Sequence, residues 1–134
     1  MTFGRDFAYI GNQYHLEIFG EELFPDLLFF NRELNCMVVV ELKKGAFKPA
    51  YIGQLQTYMK VLDDKVRKPH ENPTIGILLC KSANKAFVEY VVRDYNSPMG
   101  VATYKTAEDL SEELRKALPD MDEMRKLLIN ENNE

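Results

Sequence analysis

The pattern of apolar and polar residues in the first third of the chain is typical of β-strands. Residues 13–19, QYHLEIF, alternate cleanly, and the largely apolar segments ELFPDLLFF at 22–30 and CMVVVELK at 36–43 predict two further strands. In the first segment, Tyr14, Leu16 and Ile18 share one face and the polar residues between them share the other. The connections at Gly20 and at 31–35 are short enough for hairpins, so we predict three strands that pair as antiparallel neighbours.

The period of the pattern changes after Lys43. Apolar residues then recur every three or four positions, which predicts a helix over about residues 50–67, and Pro49 suits the first turn of that helix. Residues 74–80, TIGILLC, are nearly all apolar, which is typical of a strand covered on both faces. A strand, a helix and a strand in this order predict a right-handed parallel crossover.

The last third of the chain predicts smaller elements. Residues 84–95 favour a short helix or turn that runs into extended chain, and a strand from Val88 is the alternative. Residues 99–104 predict a final strand, and residues 107–118 predict an amphipathic helix. Asp120 is positioned to cap one more helix, so the complete pattern is that of an α/β protein.

The length of 134 residues, 46% of them apolar, suits one hydrophobic core. We predict a single domain with its body in residues 1–119, and with 120–134 as a C-terminal amphipathic helix and tail of the same domain. No apolar stretch approaches the roughly 20 residues of a membrane helix, and no secretory signal is visible, which favours a cytoplasmic protein without a membrane partner. Cys36 and Cys80 sit in or beside apolar runs, which favours buried thiols in a reducing compartment.

The net charge of −4 is unevenly distributed along the chain. Residues from 107 onward hold nine acidic and four basic residues, whereas residues 1–106 hold twelve acidic and thirteen basic ones. Between positions 43 and 68 there are seven basic residues and two acidic ones. A local basic patch can contact phosphates whatever the total charge, although charge alone favours an ordinary solvated helix face.

Charged residues interrupt the apolar strands at three positions. Asp26 lies within FPDLLFF, and Glu41 and Lys43 end the apolar run that begins at position 37. Glu41 and Lys43 point to the same face of a strand, and Asp26 can lie opposite Glu41 on the neighbouring strand. Two buried carboxylates repel each other, and a divalent cation with oxygen ligands would relieve that repulsion. A salt bridge between Asp26 and Lys43, with Glu41 solvated, is the alternative that strand geometry alone favours.

These residues form a recognisable constellation. Pro25-Asp26, fourteen intervening residues and Glu41-Leu42-Lys43 resemble the PD-(D/E)XK motif of a superfamily of divalent-metal nucleases. Gln54 and Tyr58 resemble the QxxxY pair found on the following helix in RecB-like and lambda-exonuclease-like members. Residues four apart share a helix face, although an ordinary pair on an amphipathic helix would look the same.

Longer segments resemble one family within that superfamily. GRDFAYIGNQYHLEI, DLLFFNRELNCMVVVELKKGAFKPAYIGQLQTYM and ENPTIGILLCKSANKAFVEYVVRD resemble the YhcG-like family of bacterial PD-(D/E)XK nucleases, over about residues 4–119. The resemblance implies a restriction-endonuclease-like mixed β-sheet flanked by helices. Family members are typically longer, with a helical region upstream, which implies either association with such a domain or a homodimer. Residues 1–8 have no room for the superfamily's first core helix, so we expect the C-terminal helices or a partner subunit to cover that face of the sheet.

The resemblance implies roles for individual residues. Asp26 and Glu41 would hold Mg²⁺ or Mn²⁺, and the carbonyl of Leu42 could add a main-chain ligand. Glu17 is the candidate for a further carboxylate, with a solvated strand residue as an equally weighted alternative. Lys43 would contact the scissile phosphate or orient the attacking water, which stabilises the charge that develops.

The implied helix residues would support this centre. Gln54 would position Lys43, a water or a phosphate, and Tyr58 would support that geometry or bind a phosphate itself. Candidate contacts to the DNA backbone are Lys44, Lys48, Lys60 and Lys65. The resulting hypothesis is a metal-dependent nuclease that hydrolyses phosphodiester bonds in DNA. A non-catalytic nucleic-acid-binding or oligomerisation module with the same fold, and a plain interaction domain, are the alternatives.

Overall fold

The apolar runs form one five-stranded sheet with helices on both faces in the computed structural model, which describes residues 6–104, 112–120, 122–124 and 126. The strands are β1 (Phe7–Asn12), β2 (Leu16–Ile18), β3 (Glu21–Leu23), β4 (Leu27–Asn31), β5 (Cys36–Leu42), β6 (Asn72–Cys80) and β7 (Met99–Thr103). The helices are α1 (Pro49–Lys65), α2 (Lys85–Val92) and α3 (Glu112–Ala117). None of the helices in this part of the chain is long and apolar enough to span a membrane.

The central sheet has the order β1-β4-β5-β6-β7. The pairs β1·β4 and β4·β5 are antiparallel, whereas β5·β6 and β6·β7 are parallel. The parallel pair β5·β6 is joined through α1, as a strand–helix–strand unit requires. The mixed sheet and its crossover confirm the predicted fold class.

Two apolar layers cover the sheet. On one face, residues of α1 such as Ile52 and Leu55 pack against Val39 and Leu78 of the central strands. On the other face, Ala117 and Met124 lie among the core side chains, as do other residues of the C-terminal segment. The described part of the C-terminal segment therefore covers this second face of the sheet, which agrees with one of the two sequence expectations.

The first strand of the central sheet is not the one that the sequence pattern predicted. Residues 7–12 form β1 and pair with β4, whereas residues 13–19 contribute only the three-residue β2 to a separate two-stranded sheet. Gln13 adopts a positive φ of 49°, which turns the chain at the end of β1, and the alternating residues after it pair with β3 instead of with the central sheet. The half-exposed β1 carries too little alternation to be recognised.

The predicted second strand is also divided. Residues 22–30 contain the end of β3, then Pro25, then β4. Proline has no N–H for a ladder hydrogen bond, so the pairing stops there. The hairpin between β2 and β3 is present at Gly20, where Phe19 and Gly20 have φ values of 51° and 81°, as tight hairpin turns demand.

The later elements agree with their patterns. The regions predicted from residues 36–43, 50–67, 74–80 and 99–104 correspond to β5, α1, β6 and β7, with α1 beginning one residue earlier and β6 two residues earlier than predicted. Asn84 caps α2 by accepting a hydrogen bond from the Phe87 N–H at 3.2 Å, so the helix interpretation is right and the strand alternative is wrong. Asp120 accepts from the Glu123 N–H at 3.1 Å, which confirms its capping role.

Within residues 107–118, α3 is the described helix, and 107–111 lie outside the described residues. Met121 and residues 127–134 also lie outside them. Cys36 and Cys80 are free and buried, as predicted. Burial raises the pKa of the Cys80 thiol to about 11, despite the opposing charge of Lys43.

Candidate active site

The two carboxylates meet across β4 and β5. Leu27 pairs with Val40, so one further step along the antiparallel ladder places Asp26 opposite Glu41. The Asp26 N–H donates to Glu41 Oε2 at 2.6 Å, and the Leu42 N–H donates to Asp26 Oδ2 at 2.9 Å. The juxtaposition expected from the meander is therefore confirmed.

The charge on this pair is poorly compensated. Glu41 is 1% exposed, and burial together with the neighbouring Asp26 charge raises the pKa of its carboxyl to about 8. The hydrogen bond from the Asp26 N–H and the charge of Lys43 act in the opposite direction but are weaker. At neutral pH and without a cation, the pair consequently retains a proton on Glu41.

Gln13 is a member of the site that sequence reasoning missed. Its Nε2 donates to Asp26 Oδ1 at 3.0 Å, and its backbone N–H donates to the Asp26 carbonyl at 2.9 Å. The Tyr14 N–H bonds to the Pro25 carbonyl at 3.3 Å, which holds the same two chain segments together. Gln13 lies on the polar side of the predicted strand with Glu17, and an amide there carries no signal of a long-range partner.

Lys43, Gln54 and Tyr58 form a hydrogen-bonded chain. Lys43 Nζ donates to Gln54 Oε1 at 2.9 Å, and Gln54 Nε2 donates to the Tyr58 hydroxyl oxygen at 3.0 Å. Burial, followed by the charges of Glu41 and Asp26, raises the pKa of Tyr58. The proposed salt bridge between Asp26 and Lys43 is not among the ion pairs of the described residues. The structure instead brings Lys43 to the QxxxY pair on α1.

Two further tyrosines contact Lys43. Lys43 Nζ lies 4.8 Å from the centre of the Tyr51 ring, a cation–π geometry. The Tyr104 hydroxyl donates to the Lys43 carbonyl at 2.8 Å, and burial raises the pKa of Tyr104 to about 12. The Lys43 N–H donates to the Leu79 carbonyl at 2.8 Å, so backbone and side chain are both fixed. Neither tyrosine stood out in the sequence, because both fitted apolar stripes.

Glu17 does not join the carboxylate pair. It is exposed on the β2–β3 sheet, where it pairs with Glu22 rather than with the central strands. Across the residues that the structure describes, no three of His, Cys, Asp and Glu lie close enough to hold one metal ion. The role of Glu17 as a metal ligand stays a prediction.

The four candidate backbone-contacting lysines divide into two groups. Lys44 and Lys48 are exposed on the segment that follows β5, directly after the site. Lys60 lies towards the far end of α1, in a cleft of about 300 Å³ that Asp63 also lines. Lys65 is the last residue of α1 and is exposed. Only the first two lie close to the site along the chain.

The donor set fits a hard divalent cation. Mg²⁺ is commonly bound through one or two carboxylates, with waters and substrate phosphates completing its coordination. Asp26 and Glu41 supply two carboxylates in contact, and the raised pKa of Glu41 reflects burial and then the neighbouring Asp26 charge, both of which a bound cation would oppose. Leu42 follows Glu41 directly, so its carbonyl stays the predicted main-chain ligand.

Comparison with protein families gives an independent result. The family model described as "YhcG PDDEXK nuclease domain" matches residues 1–119. The Escherichia coli (strain K12) protein named "Putative nuclease YhcG" is 33% identical over 105 residues. That match covers 78% of this chain and 28% of the relative, so the chain spans little more than a quarter of the longer protein.

Solved structures share the fold. A repair endonuclease from Pyrococcus abyssi superimposes with a TM-score of 0.50 at 17% identity, covering 74% of this chain and 38% of the other. EndoMS in its apo form gives a TM-score of 0.50 at 16% identity, covering 76% and 40%. At such identities the likeness concerns the arrangement of the sheet and its helices.

Proposed function

The chain belongs to the family of YhcG PD-(D/E)XK nuclease domains, and on that basis we propose that it is a divalent-metal-dependent nuclease that hydrolyses phosphodiester bonds in DNA. The observation that carries this proposal is the contact between Asp26 and Glu41 across β4 and β5. Lys43 follows β5 directly, two residues after Glu41, and donates to Gln54, which supports a positively charged group beside this pair.

Asp26 and Glu41 are the proposed ligands of Mg²⁺ or Mn²⁺, with the Leu42 carbonyl as a third. A bound dication would lower the pKa of a coordinated water and neutralise charge on the phosphate. Gln13 and the Leu42 N–H hold the two oxygens of Asp26, and this fixes the direction in which that carboxylate presents its remaining lone pairs.

Lys43 supplies a positive charge where phosphate oxygens gain negative charge. An ammonium group has three donors, and the bond to Gln54 uses one of them. Tyr58 in turn orients Gln54, so that the amide presents its oxygen to Lys43. A donor that is positioned before the reaction costs no reorganisation during it, which is the basis of electrostatic catalysis.

The exposed surface after β5 is basic and suits a phosphate backbone, and we propose DNA as the nucleic acid that it contacts. Lys44 and Lys48 would contact phosphates on either side of the scissile one, and Lys60 and Lys65 would extend the contact along α1. Such contacts give affinity without reading sequence, and that affinity falls as salt rises.

The test is cleavage of plasmid, linear and branched DNA with Mg²⁺, Mn²⁺ or EDTA. We expect Asp26→Asn and Lys43→Ala to lose at least roughly 100-fold in rate, as loss of a preorganised charge does. Matched controls are Asp94→Asn and Lys68→Ala, exposed residues outside the site, which should cleave like the wild type. Equal background cleavage by the wild type and both site variants would contradict the proposal. Binding without cleavage would favour the non-catalytic module.

A further inference from the structure

A cleft of about 440 Å³ opens where the chains of β5 and β6 continue past their ends. Its lining residues are Ala46, Phe47, Ser82, Ala83, Asn84 and Phe87. The two segments remain hydrogen-bonded there, since the Phe47 N–H donates to the Ser82 carbonyl at 2.9 Å and the Lys81 N–H to the Gly45 carbonyl at 3.0 Å. The walls of the cleft are therefore fixed by backbone pairing.

One wall presents a partly exposed aromatic ring. Phe87 lies in the first turn of α2 and is 44% exposed. It meets the Phe47 ring at 76° with the centroids 6.0 Å apart, and Phe47 is 8% exposed. A ring that is anchored against a buried aromatic residue and is nearly half exposed is suited to stacking against a flat partner such as a nucleobase.

The rim of the cleft carries charge of one sign. Each lining segment is flanked by exposed lysines: Lys44, Lys48, Lys81 and Lys85. The sequence has no Asp or Glu between positions 42 and 62 or between 72 and 88. Lysines around an aromatic platform are the combination that binds single-stranded nucleic acid, with phosphates on the lysines and bases on the ring.

The cleft adjoins the site. Ala46 is three residues from Lys43, so their Cα atoms are at most about 11 Å apart. Phe47 packs in the apolar layer that contains α1, and Lys43 Nζ contacts Gln54 and Tyr51 of the same helix. A strand whose phosphate reaches Lys43 would therefore place a neighbouring nucleotide near Phe87.

We propose that this cleft is a subsite for an unpaired nucleotide of the substrate, with its base stacked on Phe87 and its phosphates on the surrounding lysines. The identity of the polymer rests on the proposed function. Bases inside a duplex are stacked on each other and cannot reach the ring, so the subsite favours single-stranded, frayed or branched DNA. The expected preference is for cleavage next to unpaired nucleotides.

The first test measures binding in the Asp26→Asn background, which keeps the DNA intact. The probes are a fluorescein-labelled single-stranded 20-mer and a hairpin-closed duplex, read by fluorescence anisotropy. We expect Phe87→Ala to weaken binding of the single strand by roughly 5- to 150-fold and binding of the duplex by less than about twofold. Phe87→Tyr should retain affinity. Tyr90→Ala is the matched control, since Tyr90 is 66% exposed on the same helix outside the cleft lining.

Thermal melting of Phe87→Ala and Phe87→Leu separates stacking from folding. Leucine keeps an apolar side chain against Phe47 but offers no flat ring. Phe87→Leu should therefore melt near the wild-type temperature and bind the single strand as weakly as Phe87→Ala does. An abasic substitution moved along the 20-mer should weaken binding strongly at one position, and that position should lose its effect in Phe87→Ala. Additive losses at every position would overturn the subsite.

The outcomes for subsite and nuclease are separable. Equal losses on single strand and duplex, or equal effects of Phe87→Ala and Tyr90→Ala, would overturn the subsite while leaving any cleavage by the wild type untouched. If the wild type binds single strands through Phe87 but cleaves no DNA with Mg²⁺ or Mn²⁺, the proposed function fails and the subsite stands.

Discussion

Asp63 and Glu41 are both withdrawn from solvent, but the groups around their carboxylates differ. Asp63, near the far end of α1, accepts hydrogen bonds from the Thr74 N–H at 2.9 Å and the Thr74 hydroxyl at 2.7 Å, with Arg67 at 3.9 Å. Glu41, about 20 residues earlier in the chain, faces a second carboxylate instead, and its pKa rises to about 8. Asp63 ties a helix to a strand, whereas Glu41 is held in a position that favours protonation or a cation. Compensation within the fold thus distinguishes a structural acid, Asp63, from Glu41, the acid of the proposed site.

The largest expected effect is the change that Glu41→Gln makes to the pH dependence of the free energy of unfolding. In metal-free protein, folded Glu41 keeps its proton up to about pH 8, whereas in the unfolded chain it loses the proton near 4.5. The folded state binds more protons in this window, so the free energy of unfolding falls as pH rises through it. The glutamine of Glu41→Gln cannot titrate. Relative to the wild type, the free energy of unfolding of this variant should therefore rise by a few kcal/mol between pH 4 and 9.

Urea unfolding in EDTA at several pH values measures this difference. Asp94→Asn, an exposed change of the same type, should follow the wild-type pH dependence. If the free energy of unfolding of Glu41→Gln and that of the wild type depend on pH in the same way, the raised pKa does not belong to Glu41.

Asp63 should behave in the reverse manner. Asp63→Ala leaves the Thr74 N–H and hydroxyl without their acceptor, and Thr74 is 0% exposed. We expect a loss of about 1–3 kcal/mol in the free energy of unfolding, with nuclease activity per folded molecule unchanged. Denaturant unfolding and cleavage assays together test both parts. An activity loss as large as that of Asp26→Asn would remove the distinction between Asp63 and the Asp26–Glu41 pair.

Gln13 tests whether the carboxylate pair needs its neighbours. Gln13→Ala removes the donor to Asp26 Oδ1 but leaves both carboxylates in place. We expect roughly a 10-fold rise in the Mg²⁺ concentration that gives half-maximal cleavage, with smaller change at saturating metal. Asn12→Ala is the adjacent exposed control. An unchanged metal requirement would show that Asp26 is oriented by its backbone contacts alone.

The sequence predicted the parts of this site that depend on local pattern. The apolar run of β5 and the short link after β4 placed Asp26 opposite Glu41, whereas the expectation that Gln54 lies near Lys43 came from the resemblance to the QxxxY motif. It could not predict β1, because that edge strand is half-exposed and shows no clear alternation. Nor could it predict the contact of Gln13, which depends on a positive φ that glutamine rarely adopts and on a partner thirteen residues away.

The smallest expected effect is at the end of the Lys43–Gln54–Tyr58 chain. Tyr58→Phe keeps the buried ring but removes the oxygen that accepts from Gln54 Nε2 at 3.0 Å. The amide can then rotate, and Lys43 loses part of its orientation, so we expect roughly a 2- to 10-fold fall in kcat with KM for DNA little changed. Tyr95→Phe, a partly exposed tyrosine away from the site, is the control. A loss of stability alone, with kcat intact, would place Tyr58 in the core packing of α1 and not in the positioning of Lys43. Because Tyr58 accepts from Gln54 whereas Asp63 accepts from Thr74, the double variant Tyr58→Phe, Asp63→Ala should show additive effects on stability.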